Sequence, residues 1–206
     1  MKLQDLTIKE FIEKTRGNEP VPGGGSISAL CGALAAALSE MVAGLTIGRK
    51  KYAEVEEEFV SYLPHLEKAR EDFLEFIDKD AAAYNKVFDA FKLPKDTEEE
   101  KELRKARIQE TTLEAALVPL NVAERAVAIM KYIAEIGLKG NRNAVTDACV
   151  AMMCARTATL GAILNVRINL SGLDDKEKAK ELEIKCMALQ DEAQVREASL
   201  LETVTF

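Results

Sequence analysis

The chain has 206 residues, with 28 Lys and Arg against 35 Asp and Glu and a formal net charge of −7. That length suits a single domain, residues 1–206, able to bury roughly 70% of its unfolded surface. The acidic balance lacks the basic face that a nucleic-acid partner needs. Cys31, Cys149, Cys154 and Cys186 show no CxxC spacing, so neither a disulfide framework nor a zinc cluster is suggested and reduced thiols are expected.

After Lys2 the stretch LQDLTIKEF is mixed polar and charged, without the apolar segment of a signal peptide, so a cytoplasmic protein is expected. Thr7 and Glu10 form a capping box that opens a short helix, with Ile8, Phe11 and Ile12 on one side, ending by Gly17. From Arg16 to Gly25 the chain reads RGNEPVPGGG, where two prolines and three glycines predict a shaped loop rather than helix. Ser26 then begins an Ala-rich helix to about Gly48, and its Gly32, Ala36, Ala43 and Gly44 suit close packing at the centre of the fold. Only Ile27 to Ile47 has the length of a membrane span. Its Ala, Gly and Ser content, with Glu40 at mid-length, reads as a buried core helix instead.

Arg49 to Lys51 reads as a basic turn followed by helix to about Tyr62, and Pro64 suits the first turn of a new, long amphipathic helix that stops at Lys92 to Pro94. Thr97 with Glu100 forms a second capping box, opening a charged, exposed helix arm. Pro119 is expected to kink or divide the helical stretch around it, and Gly137 and Gly140 to mark a connector. A further apolar helix spans about Ala144 to Ile168, SGLDD turns the chain, and the last helix runs from Lys176 almost to the end. No period-2 alternation of useful length occurs, so the fold class is all-α, a multihelical array of about seven or eight helices without a sheet.

Three segments carry possible chemistry. Gly23, Gly24, Gly25 and Ser26 precede a helix whose free N–H groups and positive dipole end suit an anion; the alternative is a tight entry turn capped by Ser26. Asp80 and Tyr84 share one helix face beside three alanines that leave room for a ligand, and a partly buried carboxyl there could exchange protons; the alternative is a solvated acidic face. Asn143 and Asp147 begin a stripe that continues through Ala151, Cys154, Ala158 and Gly161 to Asn165 and Asn169. Asp147 and Asn165 are separated by about 27 Å along a helix, so they serve different parts of a long ligand, sites shared between subunits, or the helix ends alone. His65 has no second histidine to share a metal, no metal-ligand spacing occurs, and a Cys/His nucleophile is a remote alternative.

Taken together, PVPGGGSISALCGALAAALSEMVAGLTIGRKKY, DKDAAAYNKVFDAFKLPKDTEEEKELRKARIQE with VPLNVAE, and GNRNAVTDACVA with GAILNVRINL resemble the formiminotransferase-cyclodeaminase family. The resemblance is to its cyclodeaminase domain and to free-standing methenyltetrahydrofolate cyclohydrolases, and it covers nearly the whole chain. It implies an all-helical homodimer acting on a tetrahydrofolate with an anionic glutamate tail; the residues themselves add the expectation of chemistry without a metal or further cofactor and of no membrane partner. By resemblance, Asp80 is the acid/base residue and Gly23 to Ser26 the ligand-facing loop. Asp147 falls where the family has a Ser-Asp pair, with Thr146 here in place of the serine. The transferase part of the bifunctional members has no counterpart.

The resemblance implies cyclodeamination of 5-formimino- to 5,10-methenyl-tetrahydrofolate with Asp80 shuttling the proton and Asp147 as a second candidate. Arg49, Lys50 or Lys51 would then neutralise the glutamate carboxylates, or form only a solvated turn. Hydrolysis of the methenyl bridge needs the same geometry and is the first alternative. A non-catalytic helical dimerisation scaffold is the second, with the charged arm from Glu98 to Arg107 as its contact element.

Overall fold

The computed structural model describes residues 2–204 and contains, among these, helices but no strand. Six α-helices occur in chain order: α1 (Ile8–Thr15), α2 (Gly24–Thr46), α3 (Glu56–Phe91), α4 (Glu98–Lys139), α5 (Val145–Leu170) and α6 (Lys176–Thr203). Both expected capping boxes form. Glu10 N donates to Thr7 Oγ1 at 3.3 Å while Thr7 N donates to Glu10 Oε2 at 2.9 Å, and the Thr97–Glu100 pair repeats the pattern at 3.2 and 3.0 Å. Asp175 opens α6 by accepting from Lys178 N at 2.9 Å.

The helices number six rather than seven or eight because Pro64 and Pro119, read as breaks, lie inside continuous helices. A proline cannot donate to the carbonyl four residues before it, so each leaves one acceptor without its usual partner. For Pro64 that acceptor is on Val60, which is exposed, where solvent can serve. For Pro119 it is Ala115 O, and the side chain of Asn169 on α5 donates to it at 3.1 Å. A lost backbone bond inside α4 is thereby replaced by a bond between α4 and α5.

Before α3 the chain forms a short 3-10 turn, Lys50–Val55, where a longer helix was expected. Gly137 likewise lies inside α4, buried against α5 and α6, rather than in a connector. At the N-terminal end, Asp78 accepts from Leu3 N at 2.6 Å and Gln4 N at 3.3 Å, fastening the turn Leu3–Asp5 to α3.

The core centres on α2, which packs against α3, α4 and α5. Ala29, Ala35, Ala36, Val42 and Ala43 are fully buried. A Cβ on Gly32 would lie 2.5 Å from the Phe73 ring, so the ring sits where any larger residue would put its side chain. Gly44, grouped with these from the sequence, faces open space instead. Two segments, Gly24–Thr46 and Arg142–Leu170, are long and apolar enough to cross a membrane by length and composition, one more than the sequence suggests; Asp147, Arg156 and Arg167 punctuate the second. Half of each apolar window is buried within the fold, where α2 and α5 pack together.

Replacing Gly32 by Val forces the Phe73 ring to move, at a cost of about 1–3 kcal/mol. Urea unfolding should show a lower midpoint with unchanged slope; an unchanged midpoint contradicts this packing.

Candidate functional site

The site begins where the glycine loop becomes helix. Gly23 is the N-cap of α2, and Gly24 and Gly25 form its first turn, so two of the three glycines expected in a loop are helical. Ser26 does not cap the helix; it lies one turn in and is fully buried. The first intrahelical bond is Ile27 N to Gly23 O, leaving the preceding amides without helical partners.

Asp80 on α3 fills that vacancy. The Ser26 backbone N–H donates to its carboxyl, and Ser26 Oγ lies 3.0 Å from Asp80 Oδ2. A Cβ on Gly25 would stand 2.0 Å from Asp80 Oδ1, so the carboxyl rests directly on the glycine backbone and no other residue leaves room for it. Ser26 Oγ is also 2.9 Å from Ile77 O. A hydroxyl has one proton and spare lone pairs. It donates to Asp80 when the carboxyl is ionised, or to Ile77 O while accepting from Asp80 when the carboxyl is protonated. Both protonation states of Asp80 are therefore accommodated without rearrangement.

Burial pushes the Asp80 carboxyl above the usual aspartate range, and the two Ser26 hydrogen bonds only partly offset it. The solvated acidic face weighed against this position does not form, because Asp80 is packed against α2.

Asp80 lines a cavity of about 310 Å³ together with Gly23, Gly24, Gly25, Tyr84 and Asn165. A larger groove of about 620 Å³ adjoins it, sharing Pro20, Val21 and Tyr84 and extending to Phe88. The pair suits an elongated ligand with two ring systems. Neither lining includes a lysine or arginine. Asn169, Ala115 and Ile168 also line the smaller cavity and were not singled out as site residues. Asn169 was legible as the next step of the stripe after Asn165, and Ala115 as the residue four before Pro119.

The remaining predicted residues gather at the opposite end of the bundle. Arg49, Lys50 and Lys51 come after the C-terminus of α2, about 33 Å from Gly24 along the helix. Asn143 and Asp147 lie near them: Asn141 N donates to Thr46 Oγ1 at 2.9 Å, and Arg142 N to the Tyr52 hydroxyl at 3.2 Å. Within one chain these five do not join the Asp80 cavity. Among the described residues no group of three or more His, Cys, Asp or Glu is placed to hold a metal ion. His65 stacks on Tyr132 at 5.3 Å, and burial raises all four cysteine thiols, Cys186 to about 11, which leaves a Cys/His nucleophile without support.

A family model described as Formiminotransferase-cyclodeaminase matches residues 7–188. Over 184 residues the chain is 41% identical to a methenyltetrahydrofolate cyclohydrolase of Methylorubrum extorquens, covering 86% of this chain and 87% of the relative. It is 31% identical to the formimidoyltransferase-cyclodeaminase of Mus musculus, across 97% of this chain but 37% of that longer protein. A solved formiminotetrahydrofolate cyclodeaminase from Thermotoga maritima superposes with a TM-score of 0.87 at 27% identity, covering 98% of this chain and 96% of the other.

The raised Asp80 has a consequence for stability. A carboxyl whose folded pKa exceeds its unfolded value penalises the fold once ionised; the penalty grows as pH rises from the unfolded pKa through the folded one and is absent in acid. Asp80→Asn should therefore melt higher than the parent at pH 7, and the difference should close as pH falls below the ordinary aspartate range. A variant less stable than the parent at pH 7 contradicts the buried setting.

Proposed function

This chain belongs to the formiminotransferase-cyclodeaminase family of enzymes acting on folate derivatives, and from that premise we propose that it opens and closes the methenyl bridge of tetrahydrofolate with Asp80 as the proton carrier. The observation that carries this reading is the partly buried Asp80 carboxyl at a cavity wall, with Ser26 partnering it in either protonation state.

The sequence resemblance alone put cyclodeamination first. We place hydrolysis of the bridge ahead of it, because the 41% identity to a stand-alone cyclohydrolase spans most of both proteins. In hydrolysis, Asp80 takes a proton from water as its oxygen bonds to the methenyl carbon, giving a tetrahedral carbinolamine. The carbon–N5 bond then breaks as Asp80 returns the proton to N5, the carbinol hydroxyl releases its own proton to solvent, and the resulting formyl group stays on N10. Cyclodeamination, the second reading, is favoured by the close fold match to a cyclodeaminase. There N10 bonds to the formimino carbon, Asp80 takes the N10 proton, and ammonia leaves after receiving it. The steps only move protons among substrate, water and Asp80, so the chemistry calls for no cofactor beyond the folate itself. Such proton transfer contributes about 100- to 10,000-fold in rate.

We also infer a cytoplasmic homodimer. Its support is one exposed apolar stripe on each central helix: Leu34, Met41 and Leu45 on α2, and Val150, Met153, Leu164 and Ile168 on α5. A twofold, antiparallel pairing of these stripes would bring the Arg49–Lys51 end of one copy beside the Asp80 cavity of the other. That supplies the cations for a glutamate tail that neither cavity lining contains, and it gives Asn143 and Asp147 a place near the ligand. The cytoplasmic reading rests on the free thiols of all four cysteines.

Two experiments test these proposals. Purified protein given methenyl- and formimino-tetrahydrofolate separately should remove the methenyl chromophore from the first faster than it forms it, with ammonia, from the second. Asp80→Asn should reduce turnover by about 100- to 10,000-fold; full activity in a folded variant removes Asp80 from the mechanism. Light scattering should give twice the 22.7 kDa chain mass, and Leu164→Glu should yield monomers with weakened folate binding. A monomeric parent overturns the shared site.

A further inference from the structure

Asn165 and Asn169 line the Asp80 cavity from α5, one helical turn apart. A carboxamide can present either its oxygen or its nitrogen to a ligand, and its other bonds decide which. Asn165 Nδ2 donates to Gly161 O at 2.8 Å. Asn169 Nδ2 donates to Asn165 O at 2.8 Å and to Ala115 O at 3.1 Å. Reversing Asn169 would set its oxygen against two carbonyl oxygens that have no proton to give. Pro119 has no N–H, so Ala115 O lacks its usual helical donor and takes one from Asn169; together with Asn165 O it fixes the amide orientation. The two Oδ1 atoms are the polar ends left over, and neither accepts a hydrogen bond within the described residues.

We propose that Asn165 and Asn169 form a pair of fixed acceptors that reads the hydrogen-bond-donor edge of the pterin ring, an inference that rests on the folate reading above. One turn of helix separates the two residues by about 6 Å. A tetrahydropterin carries its 2-amino group and N8–H on one edge, on either side of N1, at a spacing two such acceptors can span. With that edge held, the N5 edge bearing the one-carbon unit faces away from the asparagines into the rest of the cavity. Asn169, with both N–H groups engaged by Ala115 O and Asn165 O, presents only an acceptor and selects against ligands that present an acceptor there, since unpaired buried oxygens are costly. Asn165 and Asn169 are positioning residues; they set where the pterin lies relative to Asp80 and take no proton.

The test is a double-mutant cycle in binding, using tetrahydrofolate and its 2-desamino-2-methyl analogue, which replaces the amino donor by a methyl group. Calorimetry on the full chain should show the parent preferring tetrahydrofolate by about tenfold or more. Asn165→Ala and Asn169→Ala are compared with it, and at least one should lose that preference. Asn169→Ala removes the bond to α4 and is checked by circular dichroism; Asn165→Ala removes only a bond within α5 and keeps the test open if the first variant unfolds. Parent protein binding both ligands equally, or both variants keeping the full preference, overturns the acceptor pair while leaving the folate reading intact. Parent protein binding neither ligand overturns the folate reading and the acceptor pair with it.

Discussion

A carboxyl group on α3 pressed against the glycine backbone at the start of α2 is the contact on which the rest of this structure turns. Two effects oppose each other there. Burial favours the neutral acid, whereas the Ser26 amide and hydroxyl favour the anion, and burial prevails. The result is an aspartate whose two states are closer in free energy near neutral pH than those of a solvated carboxyl. Gly25 makes the approach sterically possible, and the Ser26 hydroxyl, shared between Asp80 and Ile77 O, lets the proton come and go.

The architecture serves that contact. α2 is built from small residues, so α3 can lie close enough for Phe73 to rest on Gly32 and Asp80 on Gly25. The distance from 73 to 80 is two helical turns and that from 32 to 25 likewise, so the pairs belong to one antiparallel seam. Across the cavity, Pro119 interrupts the hydrogen bonding of α4, and Asn169 of α5 repairs it. An apparent defect in one helix thus fixes a side chain of another beside the site.

Local signals were legible in the sequence and long-range ones were not. Thr7–Glu10 and Thr97–Glu100 announce helix starts because a capping box is complete within four residues. DKDAAAY marked Asp80 and Tyr84 as sharing a face, and both do line one cavity. Pro64 and Pro119 misled because their tolerance depends on solvent at Val60 and on Asn169, a partner 54 residues from Ala115. The glycines at 24 and 25 misled for a related reason: their conformational freedom suggests a loop, whereas their use is to remove side chains, Gly25 from beneath the Asp80 carboxyl and Gly24 from against Asn165. Asn143 and Asp147 were singled out from their stripe, whose span of about 27 Å to Asn165 already set them apart, and Arg49–Lys51 through the glutamate tail that the resemblance implies; the course of α2 and α5 puts all five at the far end of one chain.

The central claim is that packing against the first turn of α2 sets the proton affinity of Asp80. Isotope-edited infrared spectroscopy, following the Asp80 carboxyl stretch against pH in the parent and in Gly25→Ala, measures it directly. The account predicts titration above the ordinary aspartate value of about 3.9 in the parent, and a return toward that value when the added methyl expels the carboxyl to solvent. Titration at the ordinary value in the parent, or identical curves for the two proteins, would contradict it.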